Sequence, residues 1–426
     1  MSRAAHPSAP DAADLPLNRS WPEIRQEFPG LEPGTVRLDG AAGTLLPAPV
    51  IAGIAAALEH SMANTHGVFA ASRRSTQTEF DARCAVADLL GGAPEGVIFG
   101  PNMTTLTFRM AATLSAEWQA GDEVIVTSLD HDANIRPWVL AAERAGATVR
   151  WAEFVPETGE LPTERFEALI SERTRLVAVT AASNAIGTKP DVRAISDLAH
   201  SAGALTYIDG VHATSHGPID VHDLGADLYA CSAYKLFGPH AGMVIGAPEL
   251  LERLAPPKLV PASDAVPERF ETGTPAFELL AGVSAAVDWI AGLSPLDGRR
   301  ARVLHALSAV EARLEQLLAQ ALEGLAAIPG VRLLGGARRR TSTISFLLAG
   351  RAPAEVARQL AARGLAVWSG DNYAYELMRR FGLSDTGGAV RASLVLYNDE
   401  DDVEQLVSAV RKLSGGGAGQ DPPQPQ

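Results

Sequence analysis

The sequence holds four lysines against thirty-two arginines, so each lysine asks for a reason. Lys235 stands in DLYACSAYKLFGPHAG, at the end of an apolar run and just before Gly238-Pro239. The others have plainer settings: Lys189 precedes Pro190, Lys258 follows Pro256-Pro257, and Lys412 lies beside the C-terminal tail. An amine held among apolar groups has a depressed pKa and can attack a carbonyl. A lysine snorkelling from a strand end to solvent would leave the same trace. Asp209 ends the run LTYID, 26 residues earlier, and alone could be a turn carboxylate. Thr104 and Thr105 follow the run GVIFG and open a helix-like stretch. A helix N-terminus with two hydroxyls is an anion site, or equally an ordinary cap. Ser232, three residues before Lys235, could add another hydroxyl.

Together these residue types suit one cofactor. Pyridoxal phosphate needs a lysine to condense with its aldehyde, an acid beside its ring nitrogen and donors for its phosphate. Other readings of the same stretches are weaker. His212, His216 and His222 have spacing suggestive of zinc, but they follow a strand and its turn, and no further ligand set completes a site. The Gly-containing turns could suggest a nucleotide fold, yet no G-x-G-x-x-G follows the first strand.

These side chains need a scaffold that brings them to one edge. Apolar, β-rich runs occur at 96–100, 123–128, 148–154, 175–183, 205–210 and 227–234. Helical stretches at 134–145, 164–171 and 192–202 separate some of them. This alternation predicts βαβ units and a mostly parallel α/β sheet, with strands buried on both faces. In such a sheet the carboxyl ends of the strands face the ligand crevice. From about residue 275 the pattern changes. Helical stretches at 275–293 and 301–328 precede strands at 331–335, 341–349 and 389–397, with helices near 352–363 and 400–413. The expected organisation is a large cofactor domain over 16–295, which includes the N-terminal segment, and a smaller α+β domain over 296–413. Residues 1–15 and 414–426 read as disordered tails.

Composition narrows the function further. The chain has 426 residues, 46% of them hydrophobic and 20% charged, which is enough apolar content for a core. A net charge of −14 argues against nucleic acid and against a basic membrane surface. No apolar run reaches the roughly 18 residues of a membrane span. Two cysteines, Cys84 and Cys231, cannot build a disulfide framework or a cysteine-based zinc site. The expected location is the cytoplasm.

Seven segments, in order, carry a resemblance: RLDGAAGTLLP (37–47), HDANIRPW (131–138), SNAIGT (183–188), IDGVHATSH (208–216), CSAYKLFGPHAG (231–242), ETGTPAFE (271–278) and VRASLVLYNDEDDVE (390–404). The chain resembles the class V aminotransferase family of pyridoxal-phosphate enzymes, and within it the cysteine desulfurase-like group. The resemblance covers roughly residues 35–410 and implies fold-type I. It implies that Lys235 binds the cofactor aldehyde and moves protons at the α-carbon, and that Asp209 pairs with the pyridine nitrogen. It further implies that His131 stacks on the ring, with His212 (where the family has Gln) and Asn184 at the 3′-oxygen edge. Thr104, Thr105, Ser232 and Tyr234 would hold the phosphate, Tyr234 standing where desulfurases usually have His. Thr274 would reach the phosphate of a neighbouring subunit, which implies a homodimer. Arg391 would bind the substrate carboxylate, with Asn184 beside it.

One departure bears on the reaction. Desulfurases use a nucleophilic cysteine on a mobile loop before the C-terminal arginine. The corresponding stretch, AVWSGDNYAYELMRRFG (366–382), contains none. Cys84, on an expected amphipathic helix, and Cys231, in the strand before Lys235, are poor substitutes. The expectation is therefore a desulfurase-like carbon–sulfur or other β-lyase acting on an L-amino acid or derivative without a persulfide cysteine. An aminotransferase, an epimerase or a silent binding protein of the same fold are the alternatives.

Overall fold

The computed structural model describes residues 15–60 and 62–415. Its strands, in chain order, are β1 (Val36–Arg37), β2 (Val97–Gly100), β3 (Glu123–Thr127), β4 (Thr148–Ala152), β5 (Thr174–Thr180), β6 (Leu205–Asp209) and β7 (Leu228–Ser232). They continue with β8 (Gly242–Gly246), β9 (Val331–Leu334), β10 (Thr343–Leu348), β11 (Leu365–Ala366), β12 (Trp368–Gly370) and β13 (Ala389–Ser393). Seven of them form the main sheet in the order β2-β8-β7-β6-β5-β3-β4. All neighbours pair parallel except β8, which runs antiparallel to both β2 and β7. The fold is thus the expected mostly parallel α/β layer.

The strand β8 was not legible as a strand. Its sequence GMVIG begins and ends in glycine and follows a Gly-Pro turn, so it reads as loop. The glycine has a use. A Cβ at Gly242 would lie 2.2 Å from the carbonyl carbon of Asn102 and 2.6 Å from Met103 N, so only glycine admits the adjoining helix end. A second difference concerns burial. The central strands are buried apart from Arg175 and Leu205 near their starts, but β4 alternates exposed and half-buried residues up to the buried Ala152 because it is a sheet edge. The helical stretch expected at 164–171 shortens to Glu164–Glu167.

Beyond the sheet, helices Ala48–His60 and Ala70–Leu90 both pack on helix Phe277–Gly292, and Val86, Leu90, Val283 and Val287 are buried. The loop 293–298 then leads into the long helix Arg299–Ala326. The C-terminal part carries an antiparallel sheet in the order β12-β13-β10-β9, with helices Pro353–Ala361 and Glu400–Gly415. The last helix thus runs through residues 414 and 415, where a tail was expected. The remaining tail residues, 1–14 and 416–426, lie outside the described residues. The N-terminal segment makes its backbone pairs with the C-terminal part: β1 pairs parallel with β11, and Asp39 bridges Ser393. We propose the boundary between two units near residue 295, with residues 36–39 tied to the smaller one.

Candidate active site

Topology brings the singled-out residues together. Asp209 is the last residue of β6, and Lys235 ends the short turn Ala233–Lys235 that follows β7. His131 follows β3, and Asn184 follows β5. Two antiparallel steps through β8 leave β2 parallel to β7, so the helix Met103–Leu114 after β2 starts at the same edge. A cleft of about 430 Å³ opens there, lined by Thr104, His131, Asn184, Asp209, His212, Ser232, Tyr234 and Lys235. Asn102, Met103, Ala133, Thr180, Ala182 and Val211 complete its wall.

The anion end is built by the helix start. Asn102 caps the helix, its Oδ1 accepting from the Thr105 N–H at 2.9 Å. The Met103 N–H donates to Ser232 Oγ at 3.0 Å, which leaves the Ser232 hydroxyl hydrogen for another acceptor. Thr104 lines the cleft beside it. Thr105 is exposed and does not line the cleft; its peptide N–H is already engaged by the cap. Asn102 was not singled out from the sequence, although an Asn directly before a helical run is a recognised cap signal.

Burial sets the electrostatics. Lys235 is 7% exposed, and burial followed by the nearby Arg391 charge lowers its amine to about 8; Asp209 opposes this. Asp209 is buried too, and desolvation pushes its carboxyl up to about 6 although Oδ1 accepts the Val211 N–H at 2.9 Å. His131 accepts the Ala133 N–H on Nδ1 at 3.0 Å, which puts the remaining ring proton on Nε2. Burial, Lys235 and Arg391 hold that imidazole down at about 3, so it is neutral. His212 is likewise held neutral by burial, and its Nε2 meets Thr343 Oγ1 at 2.8 Å and Thr341 Oγ1 at 3.1 Å. Next to His131, the fully buried Asp130 is pushed up to about 8 by burial, with Asn134 Nδ2 donating to it at 2.6 Å. This acid was missed in the sequence, where an Asp before a His looks like loop chemistry.

Arg391 does not line the cleft but borders it. It lies on β13, is 4% exposed, and Nη1 donates to the Asn184 carbonyl at 2.9 Å. Among the described residues no carboxylate forms an ion pair with it. Thr274 is exposed and outside this chain's cleft.

The stretch 370–373 closes over the His131 side. Asp132 N–H donates to the Tyr373 carbonyl at 2.7 Å, and Asn184 Nδ2 donates to the Asn372 carbonyl at 2.8 Å. The Tyr373 and His131 rings lie parallel, 5.3 Å apart with 12° between planes. Cys231 is buried in β7, and its thiol is pushed up to about 12 by burial; Cys84 is half-buried rather than fully enclosed.

These residues fit pyridoxal phosphate. Among the described residues, the cleft offers a buried amine without an ion-pair partner, a buried acid near it and hydroxyls at a helix start. It also holds an Asn184 Oδ1 that is buried with no hydrogen-bond partner among those residues. Gly242 leaves room for the helix end that forms the anion cradle. Lys235 would hold the aldehyde, Asp209 the ring nitrogen, and Ser232 and Thr104 the phosphate.

Comparison with known proteins agrees with the geometry. The family model described as Aminotransferase class-V matches residues 36–406. An uncharacterised protein of Mycobacterium tuberculosis is 36% identical over 394 residues, which is 92% of this chain and 98% of that one. A "probable cysteine desulfurase" of Mycolicibacterium paratuberculosis is 34% identical over 93% of this chain, which spans 58% of that protein's length. Among solved structures, the cysteine desulfurase CsdA of Escherichia coli, in its S-sulfonic acid form, superposes with a TM-score of 0.82 at 30% identity. The match covers 92% of this chain and 98% of that one.

Proposed function

The chain belongs to the class-V aminotransferase family of pyridoxal-phosphate enzymes, and on that footing we propose that it is a β-lyase. It would cleave a carbon–sulfur or similar Cβ bond of an L-amino acid without a cysteine carrier. The observation that carries this reading is one cleft that gathers Lys235, Asp209 and the border residue Arg391, while both cysteines lie in other surroundings.

Arg391 binds the substrate carboxylate; its planar fork and its lack of an anionic partner suit a bidentate carboxylate. With an amine lowered to about 8, Lys235 is partly neutral near pH 7–8 and can take the α-proton as a general base. The electron pair of the Cα–H bond then becomes the Cα–Cβ π bond as the Cβ–S bond breaks with its own pair leaving on sulfur, and the α-proton rests on Lys235. Asp209 would face the cofactor's ring nitrogen, where a protonated nitrogen would offset the burial that disfavours its carboxylate. His131, held neutral, would stack on the cofactor, and His212 and Asn184, which line the same cleft, would stand toward its 3′-oxygen. Tyr234, Thr104 and Ser232 would hold the phosphate, with Thr274 supplied by a second copy in a homodimer; Thr105, turned out of the cleft, would take no part. Bound pyridoxal phosphate supplies the electron sink for carbon–hydrogen and Cβ cleavage.

No helix among the described residues is long and apolar enough to cross a membrane. Two free cysteines support placing the enzyme in a reducing cytoplasm. Stopped-flow spectra of the holoenzyme with a panel of L-amino acids, joined to product identification, test the reading. Pyruvate or another β-cleaved product supports it. A keto acid with a pyridoxamine form, or an inverted stereocentre, would replace it by transamination or epimerisation.

A further inference from the structure

We propose that the rim between Trp368 and Tyr373 binds the side chain of the substrate, and that this side chain ends in a flat aromatic group. The inference rests on the lyase reading of the cleft. Strand register places the first wall. Trp368 on β12 lies opposite Arg391 on β13, and Ser345 on β10 lies opposite Arg391 from the other side. Directly opposed residues of antiparallel strands project their side chains from the same face. On that face Ser345 Oγ donates to the Ala185 carbonyl at 2.7 Å and Arg391 Nη1 to the Asn184 carbonyl at 2.9 Å. The face therefore looks onto the segment 184–185 that borders the cleft. Trp368 shares it, stands on the edge strand and is 51% exposed.

Five residues later the chain returns to place the second wall. One face of the Tyr373 ring lies on His131, and the residue is 72% exposed, so the other face is open. The turn that carries it is held against its own preference. Gly370, Asn372 and Tyr373 have φ of 120°, 54° and 56°. Tyrosine rarely adopts that left-handed region, and such strain persists where the surroundings over-determine it. Here they do. Asp132 and Asn184 grip two successive carbonyls, and Tyr373 N–H donates to Asp371 Oδ1 at 3.0 Å. A turn gripped in this way presents a ring rather than carrying a group in and out. The grip also turns the Asn184 amide. Its Nδ2 must face the Asn372 carbonyl, so Oδ1 is left as a buried acceptor at the cleft without a protein donor.

The two rings thus stand beside two residues of the site: Trp368 by the carboxylate-binding Arg391, Tyr373 on the cofactor-facing His131. A small side chain would leave both rings in water. A flat one covers them and gains offset stacking. A cationic side chain would meet the unpaired Arg391 charge and Lys235.

The test uses the holoenzyme with S-benzyl-L-cysteine and S-methyl-L-cysteine, which share the scissile bond. The expected result is a kcat/KM for the benzyl compound about tenfold or more above that for the methyl one. Trp368→Ala or Tyr373→Ala should each cut that ratio roughly three- to tenfold, the range of one aromatic contact. Trp368→Phe and Tyr373→Phe should restore most of it, and retained cofactor absorbance in every variant shows an intact fold. Equal turnover of both compounds, or a ratio untouched by the alanine variants, overturns this inference and leaves the lyase reading standing. A wild-type holoenzyme that cleaves neither compound nor any other amino acid overturns both.

Discussion

Replacing Arg391 by methionine should make the protein more stable and its substrate binding worse, and the two effects can be sized. Burial lowers the Arg391 guanidinium from its ordinary value above 12 to about 10, with Asp39 offsetting only part of the cost. A cation whose folded pKa lies below its unfolded one destabilises the fold at every pH below the folded value. The penalty is therefore fully present at pH 7 and fades only as pH rises above about 10. A drop of that size corresponds to on the order of 3 kcal/mol. Against it stands the hydrogen bond to the Asn184 carbonyl, worth about 1 kcal/mol. An apolar residue of similar length should therefore leave the cofactor-free protein more stable by about 2 kcal/mol, in line with the behaviour of buried charges replaced by apolar isosteres. Urea unfolding at pH 7 reads this as a raised midpoint with an unchanged slope. On the proposed reading, the same variant loses a charge-assisted, two-pronged contact with the substrate carboxylate. Truncating such a partner costs roughly 2–5 kcal/mol, so KM should rise at least thirtyfold. An Arg391→Met protein that unfolds at lower urea yet keeps its substrate KM would refute the reasoning: Arg391 would then be a structural residue.

Three other outcomes follow. The rate at which pyridoxal phosphate loads onto the cofactor-free enzyme should rise with pH around a midpoint near 8, because only the neutral Lys235 amine attacks an aldehyde. In Arg391→Met that midpoint should move upward, since one cause of the lowered value is gone, and Lys235→Ala should lack the visible absorbance of the lysine–cofactor bond. Glu271→Gln should destabilise the fold by about 2 kcal/mol in urea, the cost of weakening hydrogen bonds to a charged group. The buried carboxylate accepts two Arg83 hydrogen bonds at 2.9 Å and the Phe99 N–H at 2.7 Å, and its loss leaves Arg83 only the Glu79 carboxylate among the described residues. Replacing Cys84 and Cys231 together by serine should leave turnover of the true substrate largely intact. A double variant that keeps its cofactor but loses turnover would restore a thiol mechanism.

How far the sequence reached depends on what each residue answers to. Lys235 and Asp209 were legible because each ends an apolar strand run, and strand ends in a parallel sheet meet at one edge whatever the loops do. The strands themselves carried that signal in their composition. By contrast β8, with glycine at both ends, carried none, yet it reverses the direction that lets the helix after β2 start beside Ser232. Its glycines answer to a packing distance, which is a tertiary fact. Asp130 and Asn102 were missed for a related reason: one is defined by what encloses it, the other by which N–H it caps. The stretch 366–382 shows the limit most clearly. From sequence it could be read only by what it lacks, a cysteine. Its conformation comes from elsewhere, from the Asp132 N–H and the Asn184 amide gripping its carbonyls across 188 and more residues of chain. That grip makes a short polar run with Gly370 and Asn372, two residue types that tolerate the left-handed region, into a fixed turn that holds Tyr373 on His131. The same contacts, which set an aromatic ring in this turn, support the proposed reading of direct cleavage of a substrate whose side chain meets that ring over one of sulfur relay.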